Sequence, residues 1–324
     1  MRSIDLHLPQ SWNRCTTDEL EAIAAAILNE QQRVDRYHPF DWQRVKLNVV
    51  LAVNHIEVMS PAVSVGVSSA GDTECLVRRP SDETPWPVTT GQLLALTEQL
   101  SWIDDEKANK TIFQFPYPTL EVSQKSQKSQ KQLSTFQPFT LQGPPALLDG
   151  YTWREYRLLT DWMGEYMRHT NALAQARGAD QRDRQRAAID TARNEFLAIL
   201  FKPAPPQPAA TVPVGFPAGL PASLFTAFSP VQWQVILFWW SSLMAILAKK
   251  FPKVFKSQPV GKHRRPAKAD TPWDFYNRVT ATIQKYVGGL SAQDVDAQPY
   301  GVTLQQLEMM AEEAAEMEKI KNRR

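Results

Sequence analysis

Cysteine is nearly absent from this 324-residue chain: only Cys15 and Cys75 occur, far apart and without a paired spacing. That removes a zinc ribbon, a redox dithiol and a disulfide-stapled secreted fold, and it fits a reducing compartment. Histidine is equally sparse, with His7, His38, His55, His169 and His263 scattered along the chain and none at metal-ligand spacing. No Gly-x-Ser-x-Gly elbow accompanies them, so a nucleophilic hydrolase has no motif here. His55, beside a Val-rich face, reads as a satisfied core histidine. Glycine is scarce at 13 residues, and no phosphate-cradling Gly-x-x-x-x-Gly-Lys pattern exists. The opening MRSIDLHLPQSW lacks the apolar core of a secretory signal, and the chain is expected not to leave the cell by that route. No catalytic residue, metal or cofactor is expected.

An uninterrupted bilayer-length apolar run is also missing. Val231 to Ala248 comes nearest, but Gln232, Gln234, Ser241 and Ser242 interrupt it. From Val235 only 14 residues precede Lys249, whereas a span needs about 20. The segment is expected to be a buried helix without a membrane span, an amphipathic surface anchor being the other reading.

What is present is an ordinary globular composition, 43% apolar and 22% charged, with an unusual ten Trp. The net charge of +2 hides an asymmetry. Residues 1–122 hold 17 acids and 10 bases, a balance of −7, which leaves +9 for the remainder. Such a division favours a charged partner, or contact between the halves, over uniform polyanion binding. The densest cationic stretch is Lys249 to Lys268, with eight Lys or Arg and no carboxylate. Lys262, Arg264 and Arg265 within it are candidate phosphate contacts. Pro252, Pro259 and Pro266 make it a loop and not a recognition helix, and a solvated, charge-balancing loop is the simpler reading. Asp104-Asp105-Glu106 could hold a hard cation, but adjacent acids after a helix usually form a solvated cap.

Hydrophobic spacing predicts the elements. Thr16 and Glu19 have capping-box spacing ahead of a helix to about Gln32 that buries Leu20, Ile23, Ala24 and Ile27. A second helix near Asp41 turns Trp42, Val45, Val49, Ala52, Val53 and Ile56 inward, its Val content leaving a strand open. Val63 to Val88 has β-prone runs around Ala70-Gly71-Asp72, a hairpin signal. Leu93, Leu96 and Leu100 return to helical spacing, and Ile112 to Tyr117 suits a short extended segment. Three Ser-Gln-Lys triplets, 123–131, cannot bury a core face and read as a linker. Beyond it, Thr152 caps a helix with Trp153, Tyr156, Leu159, Met163 and Tyr166 or Met167 on one face. A charged helix over about 181–201 becomes apolar only at its end, and seven prolines between Pro203 and Pro221 impose an extended strap. Ser229 and Pro230 open a helix carrying Trp233, Ile236, Trp239, Trp240, Leu243 and Leu247. Thr271 and Pro272 open another, with Trp273, Tyr276, Val279, Ile283 and Val287, closed by Gly288-Gly289. The last, from about Thr303, bears Leu304, Leu307, Met310, Ala314 and Met317 on so narrow a stripe that it must dock on something to persist.

The fold class expected is therefore mainly α: a small α+β N-terminal domain (1–122), a linker (123–135), an all-α domain with the Pro-rich strap and basic loop (136–268), and a C-terminal helical module (269–324). The opening Leu8-Pro9-x-Ser11-Trp12-Asn13, the helix Trp153 to Met167, the block Asn194 to Leu200 and the module Trp273 to Met310 resemble, in helix order and aromatic positions, prophage-encoded tail-region proteins. In texture they are similar to tail assembly chaperones of long-tailed bacteriophages, over about residues 150–324. The resemblance implies a non-enzymatic, cytoplasmic role in a bacterial host, keeping an apolar helical phage structural protein such as the tape measure soluble. Trp239, Trp240, Met310 and Met317 are the residues expected to hold it, since aromatic and Met side chains repack against varied helices. Core packing is the plainer reading of each. A nucleic-acid-associated phage or mobile-element protein acting through the basic loop is the alternative, and an oligomer stays open.

Overall fold

The computed structural model describes residues 6–35, 37–61, 74–82, 84–105, 110–122, 139–203, 220–255 and 272–322. Among them lie nine α-helices and two small three-stranded sheets, so the protein is mainly α. The Ser-Gln-Lys tract, most of the Pro-rich strap, the Ala70-Gly71-Asp72 turn and the basic-loop residues Lys262, Arg264 and Arg265 fall outside the described residues. Two compact units are formed, and they do not follow chain order: Met1–Pro116 with Ser229–Leu243, and Tyr117–Phe228 with Met244–Arg324.

The first unit begins with α1 (Thr17–Arg33), entered through the expected capping box. Thr16 Oγ1 accepts from the Glu19 amide at 3.3 Å, and a Glu19 carboxylate oxygen accepts from the Thr16 amide at 2.6 Å. Leu20, Ile23, Ala24 and Ile27 are buried as their spacing requires. α2 (Trp42–Val53), capped by Asp41, is a helix despite its β-branched residues. Its four-residue spacing puts Val45 and Val49 on one face with Val50 beside them, all three fully buried, and packing outweighs a propensity deficit of a few tenths of a kcal/mol each.

Three expectations for α2 are corrected. Trp42 is 36% exposed, because the first helical turn overhangs the core and the indole leans edge-on against Phe40. Ala52 is exposed and Val53 only half-buried, and the buried Ile56 lies beyond the helix end. His55 is exposed and not a core histidine: its φ of 53° places it in the left-handed turn that closes α2, which throws the ring outward.

β1 (Glu57–Pro61), β2 (Glu74–Arg78) and β3 (Trp86–Thr89) form an antiparallel sheet with β2 central. The expected hairpin is the β1–β2 pair, with Glu57 opposite Arg78 and a register irregularity between Val58 and Ser60. Thr89 then caps α3 (Thr90–Glu98) in a second capping box with Gln92. Ile112 to Tyr117 does not become a strand. Pro116 and Pro118 deny it a ladder, and it runs as an irregular segment whose Ile112 and Phe115 are buried. The Ile112 amide is satisfied instead by Ser242 Oγ, at 2.6 Å.

Ser242 belongs to α6 (Pro230–Lys250; α4 and α5 follow below), whose part up to Leu243 is the spine of this unit. Trp233, Val235, Ile236, Trp239, Trp240 and Leu243 are all buried. Phe238 meets Trp12 edge-on at 5.3 Å, and Trp239 meets Phe115 edge-on at 4.9 Å. By length and composition α6 could cross a membrane. Its rings are occupied by these protein contacts, as in a core helix.

The second unit is helical apart from one small antiparallel sheet, β4 (Thr119–Val122), β5 (Phe139–Gln142) and β6 (Lys202–Pro203). Its main body is the pair α4 (Trp153–Gln175) and α5 (Ala179–Leu200). Trp153, Tyr156, Leu159 and Met163 of α4 are buried, as are Phe196, Leu197 and Leu200 of α5, while Met167 is half exposed at 52%. α7 (Pro272–Val287) ends where Gly288 and Gly289, at φ 70° and 72°, adopt a conformation closed to ordinary side chains. A short α8 (Ala292–Ala297), capped by Ser291, was not legible in the spacing. α9 (Tyr300–Asn322) starts three residues earlier than expected.

Tyr300 explains that early start. Its amide donates to the Tyr151 carbonyl at 3.0 Å, the Trp153 amide donates to Gln298 at 2.7 Å, and its hydroxyl donates to the Leu147 carbonyl. Leu147 and Leu148 sit at φ 55° and 56°, unusual for leucine. Full burial of Leu148 and the Tyr300 hydroxyl hold that conformation in place.

Candidate partner-binding surface

α9 has two contrasting halves. Thr303 and Leu304 are buried, and Leu307 and Met310 are half-buried. From Glu312 to Lys321 every residue whose side chain is described is exposed. Met317 is 69% exposed, Ile320 52% and Met309 48%. Leu307, Met310, Ala314 and Met317 recur at alternating spacings of three and four residues, which puts them on one side of the helix.

The other side is tied down. Glu308 accepts from the backbone amides of Lys253 and Val254 at 3.0 Å, and the Lys253 ammonium meets Glu312 at 2.5 Å. Glu308 lies two residues from Met310 and Glu312 two residues the other way, each about 160° around the helix from Met310. The acids thus anchor the far face, while on the methionine face Leu307 and Met310 are half-buried and Ala314 and Met317 are uncovered. At the flank the Tyr286 hydroxyl donates to Glu313 at 2.7 Å. That bond raises the pKa of the phenol.

The four residues expected to hold a partner therefore separate. Trp239 and Trp240, 1% and 6% exposed, are core residues of the first unit, and the expectation that they face a partner is corrected: an apolar helix of that density is consumed by its own fold. Met310 and Met317 lie together on α9, half-buried and exposed respectively.

A second exposed aromatic cluster escaped the sequence reading. Between α1 and α2, Tyr37 at 80% and Trp42 at 36% exposure join Phe40 around a hollow of about 420 Å³. The signal was available as Tyr37-His38-Pro39-Phe40-Asp41-Trp42, rings crowded between two helices. The acids beside it serve the turn. Asp35 accepts from the amides of Tyr37 and His38, Asp41 caps α2, and the buried Glu30 accepts from the Asp41 amide. These turn bonds hold the Asp35 carboxyl below its ordinary range.

Other ionisable groups have structural roles. The exposed His7 ring contacts the buried Glu19 at 2.7 Å, and its backbone exchanges two 2.8 Å bonds with the Asn54 side chain, fastening the N-terminal segment. Cys15 donates to the Ser11 carbonyl, and burial, aided by Glu19, pushes its thiol up to about 12, far from a reactive thiolate. Asp104 pairs with the buried Lys46 ammonium at 2.8 Å, which gives the acidic cluster a structural counter-ion. Among the described residues no three His, Cys, Asp or Glu converge as metal ligands. No family model, no curated protein and no solved structure matches this chain.

Proposed function

We propose that the protein is a non-enzymatic protein-binding factor that shields an apolar helical partner, using the methionine face of α9. One observation carries the reading. A helix anchored by Glu308 and Glu312 on one side continues, beyond the half-buried Met310, with Ala314 and Met317 uncovered on the other. Three exposed turns lack the length to hold a helix in water unaided, so a docked partner is what makes them persist. Methionine is suited to that task because its unbranched, polarizable side chain adapts to different apolar surfaces.

The resemblance of helix order and ring positions to tail assembly chaperones supports a finer version, in which the partner is a phage structural protein such as the tape measure, in the bacterial cytoplasm. Co-expression tests it. A long apolar helical tape-measure fragment should become soluble with the full chain and lose that solubility with Met310→Glu/Met317→Glu. Unchanged solubility of the fragment with and without the chain refutes the reading. Steep, salt-sensitive DNA binding lost on neutralising Arg264 and Arg265 would replace it with the nucleic-acid alternative.

A further inference from the structure

We infer that, before any client arrives, the methionine face of α9 is covered by α9 of a second copy of this chain, running antiparallel. The inference rests on the functional reading of that face and adds its resting state.

Charge selects the occupant and its direction. Glu308 and Glu312 are engaged on the far face, which leaves Glu313 at the flank of the methionine stripe and Lys321 on the stripe itself, one turn beyond Met317, as the charges a second copy meets first. A parallel copy would set acids against acids and bases against bases. An antiparallel copy lays each basic end along the acidic turns of the other, as complementary interfaces require.

The apolar positions support the same arrangement. Leu307, Met310, Ala314 and Met317 follow the three-then-four spacing of a helix–helix seam. Pairing Ala314 of one copy with Met317 of the other, in both directions, sets small against large at the centre. Lys321 then lies over Met310, where its methylene stem covers the thioether while its ammonium stays in water. The two copies are related by a two-fold axis, the commonest symmetry of homo-oligomers.

The seam is short. With one small residue among its four apolar positions and an overlap of about four turns, it stays below the roughly 1,200 Å² of a standard stable interface, in the transient class. A longer apolar helix can therefore displace it. Self-pairing and client binding compete for one surface.

Sedimentation velocity of the full chain across a concentration series tests this. A monomer–dimer equilibrium is expected, weakened by added salt because exposed charges contribute. Met317→Glu, at a side chain 69% exposed and so without consequence for the core, should weaken the dimer about tenfold or more by opposing a charge to an apolar seam. Lys319→Glu/Lys321→Glu should weaken it as well. Spin labels give the direction: a label at Met317 should report a short intermolecular distance and one at Leu307 a distance longer by about 15 Å or more, whereas parallel copies would report equal distances.

A chain that stays monomeric at all concentrations, a dimer indifferent to both variants, or equal label distances overturns the inference. Client solubilisation in the co-expression assay surviving such a result leaves the functional reading standing. A dimer that behaves as described while the client stays insoluble removes the functional reading and leaves a dimerisation helix.

Discussion

Replacing Asp104 should be far more damaging than replacing Lys46, although the two form one ion pair. The Lys46 side chain is 5% exposed and lies on the buried face of α2, and its ammonium meets Asp104 at 2.8 Å. Asp104 is 27% exposed, so it retains water when its partner is lost. Asp104→Ala leaves a buried ammonium without its counter-charge and should destabilise the first unit by about 3 kcal/mol, the lower end of what breaking a buried pair costs. Lys46→Met keeps the stem packed against α2's neighbours and removes the desolvated charge, so it should fall within about 1 kcal/mol of wild type. The double variant should resemble Lys46→Met, which gives a coupling energy of about 2 kcal/mol or more. Urea unfolding followed by tryptophan fluorescence measures all three, provided the slope against denaturant is unchanged. If Asp104→Ala is no worse than Lys46→Met, the pair is not holding the unit together and the acidic cluster needs another explanation, to be sought by calcium titration.

The exposed and buried members of the expected partner-binding set should behave oppositely: Trp239→Ala, at 1% exposure, should cost about 3–5 kcal/mol, and Met317→Ala, at 69%, should stay within about 0.5 kcal/mol in thermal unfolding. Burial, opposed by Arg157 and assisted by Glu165, raises Asp161 from 3.8 to about 6. Its folded form holds a proton more tightly than its unfolded form, so this stabilisation is complete below about pH 4 and is lost as pH rises through about 6. Asp161→Asn should therefore stabilise the protein at pH 7, by about 1 kcal/mol once partial exposure is allowed for, and flatten that slope. A pH-independent effect of the variant would contradict it. Thr152→Ala removes the hydroxyl that accepts from the Glu155 amide at 3.2 Å and should cost about 1 kcal/mol, recoverable in part by Thr152→Ser.

Several features could be read from residues alone because their causes are local. Thr16 with Glu19, Thr152 with Glu155 and Ser229 with Gln232 satisfy orphan amides within one turn, so a few consecutive side chains decide where α1, α4 and α6 begin. The same holds for the buried faces of α1 and α4 and for the glycine pair that ends α7, where periodicity or a positive φ is dictated by a single short segment.

Other features depended on contacts that no spacing carries. Val-rich α2 is a helix because α1 offers a surface to pack against. Ile112 finds its hydrogen bond on Ser242, 130 positions away, and Tyr300 begins α9 early because Tyr151 and Leu147 supply carbonyls. Local sequence by itself determined where α1, α4 and α6 begin and what caps them, since capping and amphipathic spacing act over one or two turns. Only the tertiary structure decided which aromatic and methionine faces were spent on the fold, burying Trp239 and Trp240 and leaving Met317 in water, because burial is a property of what lies opposite a side chain and not of the side chain itself.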